Sequence, residues 1–283
     1  MIQFADKDTA PLVRRMWKTC FDDTEEFMDI YFSKKYKNEN TLIYFEGDIA
    51  VASLQMLPYT INFYGENIPF AYLTGLCTLP EYRKRGYMAR LIDEAHRIIA
   101  DRGIHLAILI PAEEWLYGFY EKYEYEQVFE KDDTPIPLRT ILRKNNDLRI
   151  AYRVFDAIYR EKDFCIQKTF ADFEVIAEDF KTDDCPVKTN LSGMARVINT
   201  EALLKLYARK DRTVNVNIKI ENEPFVYKVS GGRVSVISGS GYDIEVGLRL
   251  LCRLLFGYKL NELDDRYKFY FTEHHPVMNL MLE

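Results

Sequence analysis

The chain has 283 residues, 48% of them hydrophobic and 29% charged, with a formal net charge of −6. That is the balance of a soluble globular protein with core enough for about two domains, and its acidic surface excludes general nucleic-acid or anionic-membrane binding while favouring small cationic partners. The five cysteines, Cys20, Cys77, Cys165, Cys185 and Cys252, stand far apart with no CxxC or Cys/His ligand spacing, so neither a disulfide framework nor a metal site is indicated, and a reduced, cytoplasmic compartment fits.

No run approaches the ~18 apolar residues of a membrane span, and the first residues hold no apolar signal core. Residues 8–37 read as helical, with Leu12, Val13, Met16, Trp17, Cys20 and Phe21 at helical spacing and FMDIYFSKKY as a second short piece. The period then falls to two. TLIYFEGDIAVASLQML places strands on either side of Glu46-Gly47-Asp48, and YTINFYGENIPFAYLTGLCTL repeats the pattern around Gly65-Glu66-Asn67, which predicts at least four antiparallel strands. Met88, Leu91, Ile92, Ala95, Ile98 and Ile99 line one helix face, closed by Gly103. HLAILIP is a continuous apolar run, expected of a central strand covered on both faces. EEWLYGFYEKY reads as a short helix and EYEQVFEK as a strand. Hairpins followed by β–α–β–α–β predict a mixed, largely antiparallel sheet flanked by helices.

Beyond residue 145 the texture changes. NNDLRIAYRVFDAIYREKDF and ADFEVIAEDFK read as helical, TDDCPVKTNLSG as a loop, and GMARVINTEALLKLYARK as a strand before a helix. VNVNIKIENEPFVYKVSGGRVSVISG alternates as strands, and DIEVGLRLLCRLLFGYKL reads as one apolar helix capped by Asp243. These predict a second α+β unit. The expected divisions are 1–145, a helical connecting segment over 146–190, and 191–283.

Arg83, Lys84 and Arg85 crowd in front of Gly86, after a strand and before the helix that follows. Adjacent cations at the positive end of a helix dipole are unfavourable unless an anion belongs there. Unpaired backbone N–H groups, a glycine that permits close approach, and charge-assisted donors suit a phosphate; a solvated basic turn is the alternative. No GxxxxGK[ST] occurs, so a nucleoside triphosphate loop is not indicated.

LPEYRKRGYMARLI resembles motif A of the GNAT N-acetyltransferases, Arg/Gln-x-x-Gly-x-Gly/Ala after a strand, with Met88 where Gly or Ala is usual. The resemblance implies that Arg83, Lys84, Arg85, Gly86, Tyr87, Met88 and Ala89 wrap the pyrophosphate of acetyl-CoA. It also implies that Leu76, Cys77 and Thr78 offer backbone groups to the pantetheine arm. LYGFYEKYEYEQV is similar to the family's Phe-Tyr-x-Lys-x-Gly-Phe, with Glu124 in place of Gly, and implies that Tyr120 protonates the departing thiolate. Thr74-Gly75-Leu76, the three cations and GMARVINTEALLKL resemble the enhanced-intracellular-survival branch. Its members carry a GNAT domain, a second GNAT-like domain and a C-terminal sterol-carrier-like domain. Residues 146–190 are too short for the full middle domain and would be its remnant; 191–283 would be the sterol-carrier-like α+β domain. The branch leaves a homo-oligomer open and implies that the C-terminal carboxylate, here that of Glu283, helps deprotonate the amine.

The function so implied is acetyl-CoA-dependent acyl transfer to an amine of a small cationic molecule or a lysine, with no metal. An amine of pKa near 10.4 is mostly protonated at neutral pH and needs a base, whereas a tyrosine keeps its proton there. Glu113 and Glu114, just past the Ile110-Pro111 strand end, are alternative bases or ligands of a cationic substrate. The competing expectation is a non-catalytic protein that binds acyl-CoA or an apolar ligand at a vestigial site. His274 and His275 point opposite ways on an extended segment and read as structural, and the Cys77 side chain as a small strand hydrophobe.

Overall fold

The alternating apolar pattern of the first third builds strands, and the computed structural model, which describes residues 1–181, 187–239 and 241–280, joins them in one sheet. In it β1 (Ile2–Phe4) leads into α1 (Ala10–Cys20) and α2 (Glu25–Lys34), then β2 (Thr41–Glu46), β3 (Ile49–Phe63) and β4 (Glu66–Thr78). Helix α3 (Tyr87–Asp101), β5 (Leu106–Leu109), α4 (Trp115–Tyr120) and β6 (Glu126–Phe129) follow, as the sequence predicts. Then come α5 (Leu138–Lys144), α6 (Leu148–Tyr159), β7 (Ile166–Gln167), α7 (Phe170–Asp179) and β8 (Gly193–Val197). The chain continues through α8 (Thr200–Lys210), β9 (Asn215–Ile220), β10 (Val226–Ser230), β11 (Arg233–Ile237), β12 (Ile244–Val246) and α9 (Leu248–Phe256).

The larger sheet runs β1-β2-β3-β4-β5-β8-β6 with β7 against β3, and the smaller runs β11-β10-β9-β12. In the larger sheet β4 and β5 pair in parallel, through Ala71↔Ala107 and Tyr72↔Ile108, and the other pairings are antiparallel. β4 continues to Thr78 past that short contact, so the two strands part, and the opening between them positions the site described below.

Three local readings change. The two runs either side of Pro58 are one strand, because β2 pairs with β3 only up to Gln55 and β7 starts at Thr60. Pro58 lies in that gap, where its missing N–H costs no ladder bond. The second hairpin turns at Tyr64-Gly65, with φ of 54° and 81° and Phe63 opposite Glu66, one residue earlier than the sequence suggests. Asp243 does not cap a helix: its Oδ2 accepts from the Asn217 N–H at 2.7 Å, Ile244–Val246 is a strand, and Gly247 begins α9.

The faces of the larger sheet are buried separately. On one, Leu91, Ile92, Ala95 and Ile99 of α3 pack over Leu54, Leu73 and Leu109, each large apolar side chain contributing about 1.5–3 kcal/mol. On the other, Phe63, Phe70, Tyr72 and Ile108 share one cluster with Val216, Ile218 and Val229 of the smaller sheet and with α8 and α9. Strand β8, which the sequence reading groups with residues 191–283, is hydrogen-bonded between β5 and β6 of the larger sheet. Among the described residues no helix is long and apolar enough to cross a membrane.

Candidate active site

The opening begins at a bulge. Against β3, the register of β4 shifts between Ser53↔Cys77 and Gln55↔Thr74, so Gly75 and Leu76 occupy the space of one residue. Gly75 has φ of +57°, and a Cβ there would lie 2.5 Å from Cζ3 of Trp17. Only glycine satisfies both the backbone and the indole. The bulge turns Leu76–Thr78 into a cavity of about 660 Å³.

The ten residues from which the sequence reading assembles a cofactor site, Leu76–Thr78 and Arg83–Ala89, all line this cavity, as do Tyr120 and Glu113. Glu114 lies outside the lining, at the start of α4. Glu283 falls outside the described residues. Two groups of lining residues were not foreseen. Cys20 and Phe21 at the end of α1 close one side, while Trp115, Leu116 and Phe119 of α4, with Tyr123 after it, form a largely aromatic wall. Their helical spacing carried only a core signal.

The basic turn is held open by its own backbone. Lys84 and Gly86 have φ of 63° and 77°, and Gly86 starts α3 without a side-chain cap, which leaves the first N–H groups of the helix unbonded. No atom lies within 4 Å of where a Gly86 Cβ would stand. Arg83 Nε donates to the Thr78 carbonyl at 3.1 Å, and Arg85 Nη2 to the Glu81 carbonyl at 3.2 Å. Glu46, at the end of β2, receives Arg85 at 3.4 Å and the Tyr87 hydroxyl at 2.6 Å. Nothing in the local sequence of Glu46 marks it, because sheet pairing alone brings it there.

Helix α4 runs from the rim to the interior. Trp115 is 63% exposed, its Nε1 donating to Glu113 Oε2 at 2.9 Å, whereas Tyr120 is 6% exposed. Burial pushes the Tyr120 phenol up, so it is protonated throughout the neutral range. Behind it stands Tyr125, ring centroids 6.0 Å apart, whose hydroxyl lies 2.9 Å from His96 Nε2. Burial, and secondarily Arg196, push His96 down to about 3, so this neighbour is neutral. Glu124, in the place of the family's glycine, adopts the left-handed conformation such a glycine would, with φ of 62°.

Cys20 Sγ donates to the Thr78 carbonyl at 3.5 Å. The neighbouring Cys77 thiol first of all, and also the Arg83 guanidinium, bring the Cys20 thiol down to about 7, against the opposing effect of burial. The final described stretch is stitched to β7 and to the chain just before β8. The Leu191 N–H donates to the Met278 carbonyl at 3.1 Å, and the Asn279 side chain bonds both backbone groups of Ile166 at 3.0 Å. His274 packs 4.8 Å from the Phe164 ring and gives its backbone N–H to Gly257, away from the cavity lining.

Residues 2–128 match the family described as an acetyltransferase (GNAT) domain. Among solved structures, a GCN5-related N-acetyltransferase from Anabaena variabilis ATCC 29413 superposes with a TM-score of 0.71 at 14% identity, over 98% of each chain. A conserved protein of unknown function from Enterococcus faecalis V583, described as a probable N-acyltransferase, gives 0.66 at 14% identity over 99% of this chain and 98% of its own. Eis1 from Mycobacterium abscessus gives 0.63 at 13% identity over 98% and 99%. At these identities the likeness is one of fold, and it runs through the C-terminal unit as well as the first sheet. Among curated proteins no significant sequence match was found.

Proposed function

We propose that this chain, which carries a GNAT acetyltransferase domain over residues 2–128, transfers acetyl from acetyl-CoA to an amine of a small cationic molecule or a lysine. The observation that carries this reading is the one cavity that takes in the basic turn, the bulged strand and Tyr120 together. Acetyl-CoA would supply the thioester. Its pyrophosphate suits the open N–H groups of Tyr87, Met88 and Ala89 with Lys84 beside them, and its pantetheine amides suit the backbone of Leu76–Thr78. The order of the lining fits a molecule entering phosphate-outward: the cations and Trp115 stand at the rim, Tyr120 at the buried end.

Tyr120 would give its proton to the departing thiolate. Its burial favours the neutral phenol, which is the form an acid needs before the reaction. Removing a proton from the incoming amine falls, on this reading, to the terminal carboxylate of Glu283. The chain is anchored up to Leu280, which is buried, and the three residues that follow reach at most about 10 Å beyond it. Glu113 is engaged with Trp115 at the rim, which makes it a weaker candidate for the base.

The C-terminal unit, with its order of strands and helices, is read as the sterol-carrier-like wall of the acceptor pocket, and 146–190 as the connecting segment. The strand β8 is then a piece of that unit lent to the first sheet. The test is calorimetric titration with acetyl-CoA beside an Arg85→Ala, Gly86→Asp variant, then thiol release with a panel of amines. Saturable binding lost in the variant, with amine-dependent CoA release in the wild type, is the expected outcome. Binding without release by any amine would turn the reading toward a ligand-binding protein.

A further inference from the structure

Two thiols meet at the inner side of the cavity on elements far apart in sequence. Cys20 is the last residue of α1, and Cys77 precedes Thr78 on β4, buried, with its sulfur 3.1 Å from Ser53 Oγ. Both line the cavity, both belong to the apolar cluster under α1, and the Cys20 thiol donates to the carbonyl of Thr78, the residue next to Cys77, at 3.5 Å. Acetyl transfer as read above uses neither sulfur. We propose that Cys20 and Cys77 form an oxidation site, at which a hydroperoxide entering the cavity converts the pair to a disulfide that disables acyl transfer. The second half of this rests on the proposed function.

The division of labour follows from the surroundings. A thiolate is the nucleophile in thiol oxidation, and Cys20, partly exposed in the cavity, has the neighbours that favour one, Cys77 and Arg83, with burial and then Glu81 opposing. Cys77 is pushed the other way, first by Cys20 and then by burial, and so is the resolving thiol. Burial pushes Cys165 up to about 12 and Cys252 higher still. In the first step the Cys20 thiolate attacks the peroxide, the O–O bond breaks, and a sulfenic acid and hydroxide (or alkoxide) form. In the second the Cys77 sulfur attacks the sulfenic sulfur, the S–S bond forms, the S–O bond breaks, and water leaves with the Cys77 proton. Two thiols are oxidised and one hydroperoxide is reduced. A disulfide holds its Cα atoms about 4.4–6.8 Å apart, so the link ties the end of α1 to the strand proposed for pantetheine. Phe21, the next residue and part of the lining, is drawn against that strand and narrows the channel.

The test uses the full chain, treated with hydrogen peroxide, alkylated and digested with trypsin. The expected product joins the peptide of residues 19–34 to that of 38–83, with turnover of acetyl-CoA falling at least tenfold and returning on addition of dithiothreitol. Cys20→Ser should keep, after peroxide, the rate it had before. Sulfinic acid at Cys20 without the linked peptide would overturn the site, and a linked peptide with undiminished turnover would overturn the switch. The mass of the linked peptide is independent of turnover. A protein that links Cys20 to Cys77 but acetylates no amine therefore refutes the proposed function while the oxidation site stands.

Discussion

Replacing Gly75 by alanine places one methyl where the fold has no room. The residue holds φ of +57°, and the new Cβ would meet Trp17 Cζ3 at 2.5 Å and Gln55 Nε2 at 2.9 Å. The amide could swing aside. The indole is fixed by Phe21, Tyr31 and Phe32, with ring centroids 5.0, 4.7 and 5.6 Å away. A left-handed backbone costs a non-glycine residue about 1–2 kcal/mol, and forcing atoms into a packed core about 1–3 kcal/mol. The variant should therefore lose about 2–5 kcal/mol, a large part of the ~5–15 kcal/mol that holds a typical domain folded. Because the strain falls on the bulge that aims Leu76–Thr78, acetyl transfer should fall by about a hundredfold even where the protein is folded, the usual cost of a 1 Å misplacement. Gly86→Ala is the control: its φ is 77° but nothing lies within 4 Å of the new Cβ, so only the backbone cost of about 1–2 kcal/mol applies. Urea unfolding of both variants decides the matter. A Gly75→Ala protein that loses less than its Gly86→Ala counterpart would refute the steric reasoning.

Tyr120→Phe should lower kcat by about a hundredfold or more, the usual range for a lost general acid, while leaving the Kd for acetyl-CoA unchanged. Because the phenol is pushed up by burial, the deficit should be the same at pH 6 and pH 9, and a deficit that vanished at either end would remove Tyr120 from this role. Deleting residues 281–283 should impair amine turnover while sparing acetyl-CoA binding; full activity would end the proposal for the terminal carboxylate. Glu124→Gly relieves a left-handed backbone and should raise stability by about 1 kcal/mol, seen as a Tm higher by about 2 °C for a chain of this size. Asn279→Ala removes two buried backbone partners of Ile166 and should cost about 1–3 kcal/mol, measurable by denaturant titration.

Local pattern made much of this legible. Five of the six apolar positions of α3 are buried and β5 lies where periodicity put it, with Met88 half-buried at the cavity, because each needs only its own spacing to specify a buried face. The basic turn was readable for the same reason: its charge crowding is written into three adjacent residues. What escaped was set by pairing across the chain. The runs on either side of Pro58 read as separate strands, which their common pairing with β4 joins into one, and Asp243 reads as a cap although its carboxylate lies on the Asn217 N–H. Cys20 and Trp115 carry the helical spacing of core residues, and only the parting of β4 from β5 turns them toward a cavity. Glu46 sits far from the turn it organises, and no window of sequence contains both.

The placement of β8 bears on how the protein is made. Strand β6 ends at Phe129 and β8 begins at Gly193, so during synthesis β5 and β6 emerge well before the strand that must lie between them. Until it arrives, two strand edges stand open, the kind of surface that recruits other chains. A fragment cut at residue 145 would keep those edges permanently and should aggregate rather than fold. The larger sheet is therefore closed only when Gly193–Val197 has been made, although the family match ends at residue 128.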